Sequence, residues 1–417
     1  MASSAAEDVV VANPGGLRWL GHAAAGLGRA GRLREYLAPF VFTAEQEQRV
    51  RRWLPPPLAR ALLRELRRRT LPAGIAPEAV RRAASASELL FVAAGRLGLP
   101  DPVTHELMDR RARRFDRAVS QRLSHEDSAV VASWNAALST LRRARSLDVA
   151  TFLDYPIVHH RYARDLLSGE LSRAPAYADT LQFHQLPAGQ ERRLNAEIEC
   201  CDRVLLQTEF QRHTFTAAGI DESRLEVIPF GVDSELFRPR ARADDGVFRV
   251  LFGGQLTQRK GLSYAVEGFS RAGLPDAELV LQGGVVGRSR PWSSVPNVRH
   301  VGHLPYEEQP TVLATADVFL FPSLAEGFPQ TPLQAMASGL PVVVSENTFG
   351  PGVVADGEQG FVVPIRDPDA IAERLRALHA SEGLRRRLGR AARELGERYS
   401  WEAYGAGVVQ AIDRGRA

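Results

Sequence analysis

Beside a glycine turn, this sequence places a side chain that could bind a phosphate group. Lys260 is the only lysine among the 53 lysines and arginines, and it follows an apolar strand-like run, residues 247–252, and two glycines. A helix-like run begins at Gly261. Lysine offers a phosphate oxygen a compact point charge, unlike the planar fork of arginine. The spacing predicts a phosphate contact; the alternative is an arginine-biased coding sequence in which one lysine survived by chance.

A carboxylate and an amide lie in the stretch 316–346. A buried-strand pattern ends before a loop that presents Glu326, and a helix begins near Thr331. The first turn of a helix carries unpaired N–H groups and a partial positive charge, so it can hold an anion such as a diphosphate. Glu326 can accept hydrogen bonds from sugar hydroxyls, and Gln334, one turn into the helix, can reach further hydroxyls.

The N-terminal part begins with a strand, a glycine turn and a helix. The apolar run 8–12 precedes Gly15 and Gly16, and helix-like sequence continues to about Arg29. This order is typical of the first βαβ unit of a doubly wound domain. The two glycines either let the backbone approach a phosphate or sugar, or form an ordinary turn.

Two adjacent histidines follow a later strand. His159 and His160 come after the run 149–154. Ligands of open α/β sheets collect at the carboxyl ends of the strands, so this position favours a site in a crevice. A surface position for the pair fits the sequence equally well.

Alternating strands and helices predict an α/β fold with two doubly wound domains. The polar stretch 238–246 has no apolar periodicity and is expected to link them. Residues 43–123 read as helical and rich in arginine. Strand-like runs occur at 8–12, 129–133, 149–154, 203–206, 225–228, 247–252, 278–282, 298–301, 317–322, 341–345 and 361–363.

Composition narrows the class of protein. A length of 417 residues with 44% hydrophobic and 24% charged residues is typical of a soluble chain of two to three domains. The formal charge of +4 and the lack of a recognition motif argue against nucleic acid as a partner. Cys200 and Cys201 are adjacent, which argues against a conventional structural disulfide within the chain and suits a reducing compartment.

Membrane and metal signals are weak. The first sixteen residues lack the pattern of a secretory signal, and no apolar run approaches the 18 or so residues that span a membrane. The helix-like segment 56–69 has a leucine face surrounded by arginines, which suits either solvent or an anionic membrane surface. Asp367-Pro368-Asp369 has the spacing of a metal-binding DxD motif, but Asp followed by Pro is a normal helix start.

The stretch VFLFPSLAEGFPQTPLQAMASGLPVVVSE, within 316–346, resembles the E-x7-E segment of retaining glycosyltransferases of family 4. Further similar stretches are CDRVLLQTEFQRHTF, RLEVIPFGVDSELFRP, LFGGQLTQRKGL and NVRHVGHLPYEEQPTVLATADVFLFPS, so the resemblance covers roughly 195–400. It implies the GT-B fold, in which two Rossmann-like domains face each other across a cleft. The expected parts are an acceptor domain (1–238), a donor domain (239–396) and a C-terminal helix returning to the first domain (397–417).

The resemblance also implies roles for individual residues. Lys260 would bind the donor diphosphate and Glu326 the transferred sugar, with one of His159 or His160 as the catalytic histidine. Gln255 stands where the family usually has arginine, a cation that Arg259 could replace. The remaining expected donor contacts are the ribose (Gln334), the base (His303, Leu304) and a cradle for the phosphates and sugar (Gly15, Gly16, Gly327, Phe328, Pro329, Gln330, Thr331).

The implied reaction is the transfer of a sugar from a nucleotide-diphosphate-sugar, most simply a UDP- or GDP-sugar, to an acceptor hydroxyl with retention of anomeric configuration. Neither a metal nor another cofactor is expected. The acceptor would be a glycan, a natural product or a lipid-linked molecule, met in the cytoplasm or at the inner face of the membrane. Because Gln255 and Gln334 depart from the family pattern, a non-catalytic binding partner or chaperone is the alternative.

Overall fold

The computed structural model describes residues 8–66, 70, 73–96, 101–241 and 245–415. Two parallel sheets, of seven and six strands, are flanked by helices, which confirms the expected pair of doubly wound domains. Residues 242–244 of the expected linker lie outside the described residues, and the rest of 238–246 contains no helix or strand.

The N-terminal sheet has the strand order β3-β2-β1-β4-β5-β6-β7, with every neighbouring pair parallel. Apolar β-branched runs form its centre, and every residue of β1 and β4 is buried on both faces of the sheet. The strands are β1 (Val9–Ala12), β2 (Leu33–Ala38), β3 (Val80–Arg82), β4 (Ala129–Ser133), β5 (Ala150–Asp154), β6 (Arg203–Leu206) and β7 (Leu225–Val227).

Two strands at one end of the sheet, the edge strand β3 and its neighbour β2, were not predicted from the sequence. β2 contains Arg34 and Glu35, which break its apolar pattern but are neutralised by ion pairs with Asp127 and Arg122. β3 lies in a stretch predicted to be helical, and that prediction was wrong for these three residues. Pairing of Tyr36 to Ala38 with β3 supplies backbone hydrogen bonds that a local pattern does not reveal.

Ten helices of this half are described, and they cover both faces of the sheet. The helices are α1 (Arg18–Arg29), α2 (Ala44–Trp53), α3 (Pro56–Leu66), α4 (Ser85–Arg96), α5 (Asp101–Ser120), α6 (Leu138–Ser146), α7 (His160–Ser168), α8 (Glu170–Arg173), α9 (Ala188–Cys200) and α10 (Glu209–Thr216). Among the described helices, none combines the length and apolar content that crossing a membrane requires.

The C-terminal sheet has the order β10-β9-β8-β11-β12-β13 and is parallel throughout. Its six strands were predicted to within two residues at each end. They are β8 (Phe248–Gly253), β9 (Ala277–Gln282), β10 (Val298–Gly302), β11 (Val318–Phe321), β12 (Val342–Ser345) and β13 (Gly360–Val363). The helices are α11 (Leu262–Ala272), α12 (Gln309–Leu313), α13 (Gln330–Ala337), α14 (Gly350–Val353), α15 (Pro368–Ala380), α16 (Glu382–Gly396) and α17 (Trp401–Gly415).

The last helix packs on the N-terminal half. Gly26 of α1 and Gly405 of α17 touch, since a Cβ added at Gly26 would lie 2.6 Å from the Gly405 backbone. Val232 and Ser400 form a parallel bridge, so the chain crosses between the halves at two adjacent points. The exact domain boundaries, at 238/239 and 396/397, stay a prediction.

Candidate functional site

Lys260 ends a single 3-10 turn, Gln258–Lys260, between β8 and α11. The turn closes through a hydrogen bond from Lys260 N to Thr257 O (3.1 Å). Gly261 follows with φ of +71°, and a Cβ there would lie 1.9 Å from the carbonyl oxygen of Pro322. Glycine is therefore required for the turn to pack onto the end of β11.

The turn and the loop after β11 bring three charged side chains together. Glu326 Oε1 lies 2.6 Å from Arg259 Nη1 and 3.9 Å from Lys260 Nζ. The three side chains are between 8% and 13% exposed. Desolvation lowers the pKa of Lys260, and the Glu326 carboxylate partly opposes that change. An incoming anion would favour the charged ammonium in the same way.

Arg259 is tied to the Glu326 loop by further hydrogen bonds. Its Nη1 also donates to Ala325 O (2.8 Å), and its own carbonyl oxygen accepts from Leu324 N (2.9 Å). These contacts fix the orientation of Glu326. The expected substitute for the family arginine is thus engaged with protein groups here, whereas Gln255 is exposed.

The N-terminus of α13 lies beside this charged group. Pro329 is the N-cap residue, and no side chain of the described structure caps the first turn. Thr331 Oγ1 donates to Gly253 O (3.1 Å) at the end of β8. The side-chain nitrogen of Gln330 is buried without a hydrogen-bond partner among the described residues. A buried donor without an acceptor is costly, so an oxygen-rich ligand is the natural partner for this nitrogen.

The expected nucleoside contacts lie at the edge of the same sheet. Gln334 is buried, at 4% exposure, and borders a small cavity with Gln282 and Gln309. His303 is exposed and Leu304 is half-buried, directly after β10. The roles of Gln334, His303 and Leu304 stay predictions.

The glycine turn of the N-terminal half borders a cavity of about 820 Å³ that both halves line. Gly16, with φ of +72°, stands at its wall with Arg18 and Tyr306, whose ring lies 3.6 Å from the Arg18 guanidinium carbon. Gly15 packs against Arg111, because a Cβ added at Gly15 would lie 2.6 Å from Arg111 Nη2. Five carboxylates also line this cavity: Glu47, Asp233, Glu235, Glu307 and Glu402.

Both histidines are buried, at 2% and 3% exposure. His160 uses both ring nitrogens, with Tyr155 OH and Asn195 Oδ1 each at 3.1 Å. His159 Nδ1 accepts from Arg161 N (3.3 Å). Burial lowers the pKa of His159 to about 3 and that of His160 to about 4, so both are neutral at physiological pH. Contact of a substrate with a ring nitrogen of His160, or with Nδ1 of His159, would require these hydrogen bonds to be exchanged, and the catalytic role of either histidine stays a prediction.

The Glu326 loop touches the N-terminal half directly. A Cβ at Gly327 would lie 2.3 Å from Pro156 O and 2.7 Å from Gln211 Nε2. Thr208 Oγ1 also donates to Gly327 O (3.4 Å). Next to it, the Phe328 ring lies 5.1 Å from Phe349, in the aromatic core. The structure thus joins the loop after β11 to those after β5 and β6.

The residues on the N-terminal side of this contact were not predicted from the sequence. Gln211 forms a capping box with Thr208, and its amide also donates to Tyr155 O (3.0 Å). Thr-x-x-Gln is a recognisable helix start, but the pattern does not reveal the second role. Asp154, at the end of β5, is fully buried and accepts from Trp19 Nε1 (2.8 Å). In the sequence, the signal for Asp154 was an acidic residue at the end of an apolar strand.

The DxD segment has the structure of a helix start, as predicted. Asp367 accepts a hydrogen bond from Ala370 N (2.8 Å), and Asp369 pairs with Arg271. Among the described residues, no group of three or more His, Cys, Asp or Glu side chains is placed to hold a metal ion. Cys200 and Cys201 are free thiols in the structure.

Comparison with known proteins supports a group 1 glycosyltransferase. Residues 233–395 match the sequence model of the family described as Glycosyl transferases group 1. The chain is 30% identical over 190 residues to the amylovoran biosynthesis glycosyltransferase AmsK of Erwinia amylovora, covering 41% of this chain and 46% of that protein. It is 27% identical over 311 residues to a D-inositol 3-phosphate glycosyltransferase of Nocardioides sp., covering 63% and 68%. The chain spans about half the length of several curated relatives it matches.

The fold is also that of solved GT-B proteins. The structure resembles Anabaena Alr3699/HepE, solved in complex with UDP-glucose, with a TM-score of 0.62 at 13% identity over 97% of this chain and 99% of that chain. The expected GT-B fold is confirmed by this likeness and by the two parallel sheets.

Proposed function

We propose that this chain transfers a sugar from a nucleotide-diphosphate-sugar to an acceptor hydroxyl, with retention of configuration, as a member of glycosyltransferase family 4. The observation that carries the proposal is the convergence of Lys260, Glu326 and the uncapped N-terminus of α13. An ammonium and a helix N-terminus suit a diphosphate, and a carboxylate held by Arg259 suits sugar hydroxyls. A UDP- or GDP-sugar fits this set of groups, and HepE, of the same fold, was solved with UDP-glucose.

Each group has a defined part in the proposed transfer. The bond between the anomeric carbon and the diphosphate oxygen breaks, and a bond to the acceptor oxygen forms on the same face of the sugar. The acceptor proton passes to the departing phosphate oxygen. Lys260 stabilises the negative charge that grows on that phosphate, an interaction that strengthens towards the transition state. Contact of the Gly327 loop with Pro156 excludes water from the anomeric centre.

The acceptor is proposed to bind on the N-terminal domain, beside Gly16 and the 820 Å³ cavity. A glycan, a natural product or a lipid-linked molecule would all present hydroxyls there. AmsK is named for amylovoran biosynthesis and the Nocardioides relative for D-inositol 3-phosphate, so the names of the relatives do not agree on one acceptor for this chain. No observation favours the alternative of a non-catalytic partner.

Peripheral contact with the inner face of a membrane is proposed from the arginine-rich segment 45–122. It contains seventeen arginines against nine aspartates and glutamates, while the whole chain carries only +4. The segment also exposes Trp53, Leu58, Leu89 and Leu90, each by more than half. Exposed apolar side chains within a cationic segment suit an anionic lipid surface in the cytoplasm.

The experiment that tests the proposed activity is slow hydrolysis of the donor without an acceptor. Purified protein is incubated with a panel of UDP-, GDP-, ADP- and TDP-sugars, and release of the nucleotide diphosphate is measured. One donor class should be hydrolysed by the wild type and spared by the Lys260→Ala and Glu326→Ala variants. Hydrolysis of none, with no thermal shift from any nucleotide diphosphate at millimolar concentration, would overturn the proposal.

A further inference from the structure

A buried carboxylate of the N-terminal domain is bound entirely by side chains of the C-terminal domain. Glu170, the first residue of α8, is 0% exposed. Its Oε2 accepts from Gln258 Nε2 (2.9 Å) and Tyr264 OH (2.8 Å), and its Oε1 accepts from Arg366 Nε (2.7 Å). Separation of the two domains would break all three hydrogen bonds at once.

Arg366 reaches Glu170 from an unusual backbone conformation. It lies between β13 and α15 with φ of +63°, which is rare for a residue other than glycine and unfavourable for the backbone. Its Nη2 also donates to Leu166 O (2.9 Å), at the end of α7. The guanidinium therefore donates hydrogen bonds both to the Glu170 side chain of α8 and to the backbone of α7. These bonds offset the cost of the unfavourable backbone conformation of Arg366.

Gln258 carries the contact to the proposed donor site. It is the first residue of the 3-10 turn whose next two residues are Arg259 and Lys260. Its backbone N–H donates to Thr180 Oγ1 of the N-terminal domain (3.0 Å), and its side-chain oxygen accepts from Ser263 N (3.1 Å). The turn is thus held at its start by the N-terminal domain and at its end by Gly261 on Pro322.

A second contact lies on the same side of the cleft. The carboxylate of Asp179 accepts hydrogen bonds from Arg288 N (2.7 Å) and Ser289 N (2.9 Å), after β9. Unlike Glu170, Asp179 does not touch the Lys260 turn among the contacts described. Asp179 therefore joins the domains without touching the turn, whereas Glu170 joins the domains and also reaches the turn.

We propose that Glu170 is a positioning residue, which holds the Arg259–Lys260 turn in its donor-binding shape while the domains are closed and releases it when they separate. This proposal rests on the proposed function only in naming a donor as the ligand of the turn. The packing of the turn against Glu170 does not depend on any ligand. Loss of the Glu170 carboxylate leaves Tyr264 OH and the charged Arg366 Nε without this acceptor, and Gln258 Nε2 keeps only its hydrogen bond to Ser263 Oγ (2.7 Å). These losses favour the open arrangement. The turn then becomes accessible to solvent.

The single lysine of the chain makes this testable without substrate or activity. Only Lys260 offers a lysine amine, so its rate of acetylation by acetic anhydride can be measured by mass spectrometry, with free Nα-acetyl-lysine as reference in the same tube. In Glu170→Ala, the limiting acetylation rate of the unprotonated Lys260 amine, taken from the pH dependence, should be at least about tenfold higher than in the wild type. Its apparent pKa, taken from the pH dependence of that rate, should rise from the lowered value towards that of an exposed lysine.

A matched control separates positioning from general destabilisation. Asp116 is also a buried carboxylate, 4% exposed, but it accepts from Ser139 N (2.7 Å) and Thr140 N (2.8 Å) within one domain. Asp116→Asn should lower the melting temperature and leave Lys260 acetylation, measured well below that temperature, within twofold of the wild type. Equal Lys260 rates and pH profiles in wild type and Glu170→Ala would overturn the proposal.

A compensating pair provides an independent check. Glu170→Gln places an amide nitrogen against the Arg366 guanidinium and should raise the Lys260 rate. Adding Arg366→Gln supplies an amide oxygen for that nitrogen and removes the unpaired charge. The double variant should return to within about threefold of the wild-type rate. The increases in the Lys260 acetylation rate are also measured in Glu170→Gln alone and in Arg366→Gln alone. An increase in the double variant that equals or exceeds their sum would contradict the assignment.

Discussion

Glu326 Oε1 lies 2.6 Å from Arg259 Nη1 but 3.9 Å from Lys260 Nζ. Arg259 therefore fixes the carboxylate, while the ammonium keeps a looser contact from which it can turn to a phosphate. Gly254, with φ of +119°, makes room for that ammonium, since a Cβ there would lie 2.7 Å from Nζ. In the proposed transfer, Arg259 would therefore orient the carboxylate that binds the sugar, and Lys260 would bind the diphosphate.

Removal of the lysine should cost most of the activity. Lys260→Ala loses a preorganised charge at the departing phosphate, and we expect kcat for donor hydrolysis or transfer to fall about a hundredfold or more. Lys260→Arg keeps the charge but not the compact shape, so it should recover part of the rate. Wild-type kcat in Lys260→Ala would contradict the role assigned to this residue.

Arg259 should act through Glu326 rather than through the phosphate. Arg259→Gln removes the 2.6 Å contact and leaves the carboxylate poorly oriented. In the Glu326→Ala background, Arg259→Gln should therefore add little further loss of kcat/KM. Steady-state kinetics on the two single variants and the double variant provide the measurement. Losses that multiply fully would show that Arg259 contacts the donor independently.

The close approach at Gly327 should tolerate no side chain. Gly327→Ala would bring a Cβ to 2.3 Å from Pro156 O, so the loop or the interface must shift at a cost of about 1–3 kcal/mol. We expect a lower melting temperature and a lower kcat together. Gly189→Ala is the matched control, because its Cβ would meet nothing within 4 Å and the residue lies in α9. An unchanged Gly327→Ala enzyme would show that the domains do not close as described.

Asp154 should make stability depend on pH. Complete burial raises the pKa of Asp154 from 3.8 to about 7. Between these two pH values, the folded chain therefore keeps a proton that the unfolded chain has released. The contribution of Asp154 to the free energy of unfolding is largest below about pH 4. It falls by up to about 4 kcal/mol as pH rises through about 7. Asp154→Asn should therefore stabilise the protein more at pH 8 than at pH 5. Denaturant unfolding at the two pH values measures this, and an equal effect at both would contradict the buried carboxyl.

The cationic helical segment should respond to lipid charge. The wild type should sediment with vesicles containing phosphatidylglycerol and not with pure phosphatidylcholine, and salt should weaken binding. Trp53→Ser with Leu58→Ser removes two side chains that are 76% and 60% exposed, so binding should fall without a change in melting temperature. Equal binding to both lipids would argue against a membrane role for this segment.

Local pattern predicted the centre of both sheets and failed where distant contacts decide the structure. Runs such as Val342–Ser345 are apolar and buried on both faces, so the sequence alone locates them. β2 was missed because Arg34 and Glu35 interrupt the pattern, and their partners Asp127 and Arg122 are remote in sequence. Glu170 gave no signal, because Gln258, Tyr264 and Arg366 lie 88 to 196 residues further along the chain.

The histidine pair illustrates the limit for sites. The sequence left open whether His159 and His160, which follow a strand, face a crevice or the surface, and their catalytic role stays a prediction. The side chains turn inward, and Tyr155 and Asn195 occupy both nitrogens of His160. The orientation of these two side chains depends on packing of His159 against Phe215 and on tertiary hydrogen bonds. The spacing of residues in the sequence does not encode either contact.

The central claim, that Lys260 binds the diphosphate of a nucleotide-sugar, is tested most directly by the acetylation rate of that lysine in the presence of ligand. UDP, GDP and their sugars are added in turn at millimolar concentration, with the nucleosides as controls. We predict that at least one nucleotide diphosphate slows acetylation of Lys260 about tenfold or more, and that the matching nucleoside does not. An unchanged rate with every nucleotide diphosphate and nucleotide-sugar would contradict the account.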